Sequence, residues 1–234
     1  MAADPRQDAS VAEKQAAAQR GVALVADGMA LGIGSGTTMQ HVITALGERV
    51  RAGLCVVGVP TSEATAARAR ALGIPLTTLA ERPELDLALD GADEIDPRLD
   101  LVKGHGGSLL REKVVATAAA RLVIVADASK LVPRLGTRAP LPVEVVPFAA
   151  AWCARRLERL GARPALRGGA ARPFVTDNGN WILDCAFGPI TDSAGLAAAI
   201  RALPGVVEHG LFLRMAEQAL VAHADGRVEE LQRP

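Results

Sequence analysis

Short apolar runs that stop at a glycine- or aspartate-bearing loop and then give way to a helical pattern govern what this 234-residue chain can fold into. Met29 to Ile33 is such a run. Gly34-Ser35-Gly36-Thr37-Thr38 follows it, and Met39 to Arg49 has helical spacing. Cys55 to Val59 leads into a helix over Ser62 to Leu72, and Leu76 to Leu79 predicts a further short strand. Leu85 to Leu89 runs into Asp90-Gly91-Ala92-Asp93. A helix covers Leu109 to Ala120, and the strand Leu122 to Ala126 ends at Asp127-Ala128-Ser129-Lys130. An amphipathic helix over Val11 to Val25, with Lys14, Gln15, Gln19 and Arg20 on its polar side, precedes them all. Apolar strands alternating with helices form a parallel sheet covered on both faces. Ligands of such sheets bind beyond the carboxyl ends of the strands. Three polar loops share that address: 34–38, 90–93 and 127–130.

The pattern changes at Pro133, Pro140, Pro142 and Pro147, which bracket a segment that cannot be one regular element. A helix over Ala149 to Leu160, a strand over Trp181 to Asp184 and a helix over Ser193 to Ala202 follow, with Asp177-Asn178-Gly179 as a hairpin signal. These predict a small α+β domain over 138–205. The larger domain then comprises 1–137 and 206–234, with Gly210 to Val221 returning to it.

Composition removes several classes of function. Twenty-six basic and 26 acidic side chains give a net charge of +0, so no basic excess recruits nucleic acid or a membrane surface. Aromatics are 3% with no Tyr, which argues against a single-strand reader built on stacked rings. No run of ~18 apolar residues could span a bilayer, and Met1 to Ser10 lack the apolar core of a signal peptide. Cys55, Cys153 and Cys185 are isolated and show no metal-ligand spacing. They read as small hydrophobes in a reducing cytoplasm.

The loops then carry the chemistry. Gly34 to Thr38 joins a strand to a helix, so glycines, hydroxyls and helix N-terminal amides could cradle a phosphate. The Gly-Lys-Ser/Thr ending of a P-loop is absent, as is the third glycine of a dinucleotide fingerprint. Alone, the loop reads equally as an N-cap with a tight turn. Asp90, Asp93 and Glu94 group like charges, which shifts proton affinities, although a solvated turn before Pro97 has the same composition. A metal site made of these carboxylates would lack a partner histidine. Lys103-Gly104-His105-Gly106-Gly107-Ser108-Leu109-Leu110-Arg111-Glu112-Lys113 puts three glycines within four positions ahead of a helix. A helix start favours ionised Glu112, ready to accept a proton, or simply holds it as a capping charge. His105 reads as a loop residue rather than the acid–base group. Lys130, at a strand's carboxyl end, and Lys14 are either substrate-directed or solvated lysines.

In order along the chain, these stretches resemble ribose-5-phosphate isomerase of the A type. The likeness lies in Gly-Ile-Gly-Ser-Gly-Thr-Thr from Gly32, Asp-Gly-Ala-Asp-Glu-Ile from Asp90 and the Lys103 to Lys113 stretch. It continues in Ala-Asp-Ala-Ser-Lys from Ala126, Leu-Pro-Val-Glu-Val from Leu141, Val-Thr-Asp-Asn-Gly-Asn from Val175 and Pro-Gly-Val-Val-Glu-His-Gly-Leu-Phe from Pro204. The resemblance implies an α/β fold: a Rossmann-like parallel sheet with helices on both faces, plus a smaller α+β domain. It implies interconversion of D-ribose 5-phosphate and D-ribulose 5-phosphate through an enediol(ate), with neither metal nor organic cofactor. Glu112 matches the general base, Asp90 and Asp93 the active-site aspartates and Lys103 the active-site lysine. Substrate contacts match Lys14, Ser35, Gly36, Thr37, Thr38, Asp90, Gly91, Ala92, Asp93, Lys103, Gly104, His105, Gly106 and Lys130. A homodimer or homotetramer is implied, for which the small domain offers an interface. His105 and Ser108 depart from the residues usual in relatives, and neither removes a matched catalytic group.

Two rivals make distinct demands. A non-catalytic sugar-phosphate sensor would need a DNA-binding module, for which the segment before Met29 has no room, and would not need Glu112, Asp90 and Lys103 together. A deaminase, lactonase or acyl-CoA transferase on a similar scaffold would need other groups, such as a catalytic histidine or a covalent glutamate in a different motif.

Overall fold

The computed structural model describes residues 5–234, with side chains from residue 11 onward. The chain runs through α1 (Pro5–Val22), β1 (Ala30–Ile33), α2 (Thr37–Arg51), β2 (Val57–Pro60), α3 (Glu63–Ala71) and β3 (Leu87–Asp90). Two-residue strands β4 (Glu94–Ile95) and β5 (Leu101–Val102) lead to α4 (Leu109–Ala118) and β6 (Leu122–Asp127). Then come β7 (Leu141–Val145), α5 (Ala150–Arg159), β8 (Arg163–Leu166), β9 (Trp181–Ala186) and α6 (Ser193–Arg201). The chain ends with β10 (Val206–His209), β11 (Leu211–Phe212), β12 (Gln218–Ala222) and β13 (Val228–Gln232). It divides into two compact units. One holds the chain up to Ala92, Arg111–Lys130 and Met215–Pro234; the other holds Asp93–Leu110 and Leu131–Arg214.

The first unit is built on a six-stranded sheet of order β13-β12-β6-β3-β1-β2. Every pairing is parallel except that of β13 with β12. β1, β3, β6 and β12 are buried at every position, as strands covered on both faces must be. Met39, Val42, Ile43 and Leu46 from α2 and Ala17, Ala18 and Val22 from α1 share one core with Leu31, Leu89, Val125 and Leu220 of the strands. Their i, i+3, i+4 and i+7 spacing on α2 is the apolar stripe that docks a helix on a sheet. This is the α/β class expected from the sequence.

The second unit contains an antiparallel four-stranded sheet, β10-β7-β9-β8, and a three-stranded sheet, β11-β5-β4. α5 and α6 bury Cys153, Leu157 and Ile200 with Val143, Val145, Leu183 and Cys185. Asp177-Asn178-Gly179 forms a tight turn: Gly179 has φ +79°, its N–H donates to Thr176 O at 2.9 Å, and Thr176 N–H donates to Asn180 O.

The domain limits expected from the prolines differ from this grouping. Segment 93–110 falls in the second unit because β5 pairs antiparallel with β11. Of the stretch expected to return, β11 stays in the second unit and β12 joins the large sheet beside β6. Leu76 to Leu79 is not a strand. Leu76 makes one isolated bridge to Gly58, and Thr77 N–H returns to Gly58 O before the chain turns away.

Candidate active site

The carboxyl end of the parallel sheet carries the loop read as a phosphate cradle. Gly34 N–H donates to Leu89 O at 2.9 Å, which brings the loop hard against β3. A Cβ at Gly34 would lie 2.1 Å from Asp90 Oδ1 and 2.8 Å from Asp90 Cα, so this close approach admits only glycine. Gly36, at φ +105°, is the N-cap of α2 and supplies no side-chain acceptor. The first helical bond there is Gln40 N–H to Gly36 O, which leaves the amides of Thr37, Thr38 and Met39 without intrahelical acceptors. An anion at this helix end meets those N–H groups and the positive end of the helix dipole.

Ser35 is held by hydroxyls that the sequence reading did not assign. Its Oγ lies 2.7 Å from Thr61 Oγ1, 2.8 Å from Ser62 Oγ and 3.1 Å from Thr65 Oγ1. All three are buried, and Thr65 Oγ1 also donates to Gly34 O. The available signal was positional: Thr61 and Ser62 directly follow β2, at the same end of the sheet as the three loops considered. Ser62 caps α3 by accepting from Thr65 N–H, and only that role shows in the sequence.

Asp90 ends β3 and is 3% exposed, with Oδ1 accepting from Gly91 N–H at 2.8 Å and Ser35 N–H at 3.3 Å. The aspartate and the glycine loop therefore hold each other in place. Glu112 lies in the first turn of α4 and is 4% exposed. Val115, one turn on along the same face, packs against β1: a Cβ at Gly32 would lie 2.5 Å from Val115 Cγ1. After α4, Leu85 N–H donates to Ala118 O, which sets the helix C-terminus at the amino ends of the strands. The Glu112 end therefore points to their carboxyl ends. Asp127 closes β6, buried and accepting from both the N–H and the Oγ of Ser129, and half-buried Lys130 follows. Lys14 is half-buried on α1, and its charge acts on His41 of α2, whose proton affinity is lowered by burial, then by Lys14 and Arg68.

The second unit holds the other matched residues. Lys103 is 3% exposed, with its N–H on Gly210 O and its Nζ 5.4 Å from the centre of the Phe212 ring. Asp93 Oδ2 accepts from His105 N–H at 3.0 Å, and His105 Nε2 lies 2.9 Å from Pro140 O. Gly104 has φ +109° and Gly107 +86°, so the loop takes a path that side chains resist at both points. Among the described residues, no group of three or more His, Cys, Asp or Glu is placed to hold a metal ion.

A parallel sheet whose carboxyl end gathers an anion cradle, a hydroxyl cluster and buried carboxylates defines a class: α/β proteins acting on small anionic metabolites. The family model for ribose 5-phosphate isomerase A (phosphoriboisomerase A) matches residues 57–226. Ribose-5-phosphate isomerase A of Roseiflexus sp. (strain RS-1) is 58% identical over 219 residues, covering 92% of this chain and 94% of the relative. That of Gloeobacter violaceus is 56% identical over 214 residues, covering 91% and 93%. Among solved structures, ribose 5-phosphate isomerase A from Methanocaldococcus jannaschii superposes with TM-score 0.89 at 40% identity, covering 97% of this chain and 99% of the other. A D-ribose-5-phosphate isomerase in complex with phospho-erythronic acid superposes at 0.90 and 35% identity, covering 94% and 98%. The chain belongs to the ribose 5-phosphate isomerase A family.

Proposed function

We propose that this protein interconverts D-ribose 5-phosphate and D-ribulose 5-phosphate by proton transfer, with Glu112 as the general base. One observation carries the reading: Asp90, Lys103 and Glu112, three ionisable side chains, are each no more than 4% exposed. Burying charge is costly, and groups of this kind concentrate where chemistry needs them. The ligand of the relative with phospho-erythronic acid supports the reading. Its carboxylate, a planar anionic group at one end of a short polyol, is like the enediolate end of the intermediate, and its phosphate lies at the other end.

In the forward direction Glu112 takes the proton from C2 of the open-chain aldose, and electrons move onto O1. The Lys103 ammonium stabilises the charge that develops on the enediolate oxygens. Asp90, with Asp93 in reserve, opens the sugar ring and moves a proton between O2 and O1. Glu112 then delivers its proton to C1, so the atoms balance with no co-reactant. Ser35, Gly36, Thr37 and Thr38 hold the distant phosphate, so binding energy remote from the reaction positions C1 and C2. Lys14 and Lys130 add positive charge towards the substrate, and Gly91, Ala92, Gly104, His105 and Gly106 contribute backbone contacts. The proposal includes a cytoplasmic location, in keeping with three free cysteines of which two are buried. It also includes a homodimer or homotetramer, in keeping with a wholly exposed Phe148 and a part-exposed Trp152.

The test is turnover of ribose 5-phosphate in a coupled assay with and without EDTA, and in deuterium oxide. Equal rates with chelator, and solvent deuterium entering C1 of the ketose, are expected. Binding without turnover would favour the sensor, and chelator-sensitive turnover would break the metal-free mechanism.

A further inference from the structure

Arg167 follows β8 and takes no part in the proposed chemistry, yet all three nitrogens of its guanidinium are engaged. Nε and Nη2 donate to the two oxygens of Asp184, at 2.9 and 2.5 Å, in a fork that matches a carboxylate. Nη1 donates to Gly104 O and His105 O, both at 3.0 Å. The guanidinium also lies 5.6 Å from the centre of the Phe174 ring. That ring fills the space beside Gly107, where a Cβ would come within 2.4 Å of Phe174 Cζ. The main chain of Arg167 is itself pinned, its N–H on Ile182 O at 2.9 Å and its O accepting from Phe174 N–H at 2.8 Å. A rigid, charged fork therefore grips two successive carbonyls of a loop whose glycines leave its backbone intrinsically soft.

A trans peptide is planar, so its carbonyl and its N–H point in opposite directions. Holding the Gly104 carbonyl turns His105 N–H to the far side, where it meets Asp93 Oδ2 at 3.0 Å. Holding the His105 carbonyl does the same for the N–H of exposed Gly106. We propose that Arg167, braced by Asp184, is a positioning residue that aims the Gly106 N–H at a substrate oxygen and keeps Asp93 in register with the loop that follows Lys103. The proposal rests on the isomerase reading, in which this loop meets the sugar.

The test compares Arg167→Lys and Arg167→Ala with the wild type in kcat, KM, thermal midpoint and amide exchange over 104–107. A lysine keeps a charge beside Asp184 but cannot serve that carboxylate and two carbonyls together. Arg167→Lys should lower kcat by roughly 10- to 100-fold with a smaller change in KM, since misplacement of a donor by an ångström is worth about that much. In Arg167→Ala, added ethylguanidinium should restore part of the loss. A lysine variant with wild-type kcat, or a folded alanine variant that ethylguanidinium leaves unchanged, overturns the proposal. If the alanine variant does not fold, the lysine variant decides. If the wild type itself fails to turn over ribose 5-phosphate, the isomerase reading falls on its own. Exchange of the Gly107 amide, which donates to Gly104 O, then decides: unchanged protection in Arg167→Lys refutes the hold on the loop.

Discussion

Adding one methyl group at Gly34 should disable the enzyme without unfolding it. The backbone there is not left-handed, so alanine brings no conformational strain, and the whole effect is contact. The new Cβ would lie 2.1 Å from Asp90 Oδ1, 2.3 Å from Cγ and 2.8 Å from Cα. Rotating the carboxylate away relieves the first two contacts but not the third, and it breaks the bonds from Gly91 and Ser35 N–H. Moving the loop instead pulls Ser35 out of its hydroxyl cluster. Either relaxation costs about 1–3 kcal/mol, the usual range for overpacking, which for a chain of this size is a fall of roughly 2–12 °C in Tm. Both relaxations displace groups assigned to the substrate, so kcat/KM should fall by about 100-fold or more. Differential scanning fluorimetry and a coupled ribose 5-phosphate assay read the two effects. Gly106→Ala serves as the stability control: nothing lies within 4 Å of its Cβ and its φ is not positive, so Tm should stay within about 0.5 kcal/mol equivalent. Wild-type turnover and Tm in Gly34→Ala would refute the mutual bracing of loop and aspartate.

Glu112→Gln should keep the fold and substrate affinity while kcat drops by about 10²–10⁴-fold, measured on purified protein at saturating substrate; normal turnover would remove Glu112 from the role of base. Lys103→Ala should reduce kcat more than Lys14→Ala does, and equal losses would show that both lysines only attract the phosphate. His41 is held below its usual proton affinity by burial, then by Lys14 and Arg68. The unfolded chain therefore takes up this proton first as pH falls, and stability contributed at neutral pH is lost below about pH 6.5. Tm of His41→Gln should accordingly decline less than wild type between about pH 7.5 and 5.5, and identical declines would count against the assignment.

Much of the large sheet can be read from the sequence because its strands are apolar throughout and stop at loops of distinctive chemistry. Leu122 to Asp127 and Leu87 to Asp90 need no tertiary information to be recognised as buried strands. The second unit is harder to read for specific reasons. Pro142 lies inside β7 and Pro164 inside β8, and a proline in a run usually argues against a strand. β8 alternates between exposed and half-buried positions, and β4, β5 and β11 have two residues each, too few to show a period. At the site, Gly34, Asp90 and Glu112 are picked out by the ordered motifs that carry the family resemblance, since each alone reads as well as a turn or helix-start residue. Thr61 and Thr65 are not, since a threonine near a helix start is ordinary until Ser35 is found within hydrogen-bond distance of both. Arg167 was invisible for a similar reason: its partners Gly104 and Asp184 lie 63 and 17 residues away in the chain.

The place of β12 in the large sheet sets the order in which a nascent chain can mature. β12 lies between β6 and β13, and all five of its residues are buried. β6 therefore keeps one sticky, unsatisfied border until residues 218–222 have been made and have emerged to pair with it. Translation that stops earlier would leave a nearly finished sheet exposing Val123, Ile124 and Val125 along an open margin, a substrate for chaperones or for clumping with its neighbours. The strand that seals β6 is thus made after every other parallel strand of its sheet, and a chain lacking it is marked for quality control by its open edge.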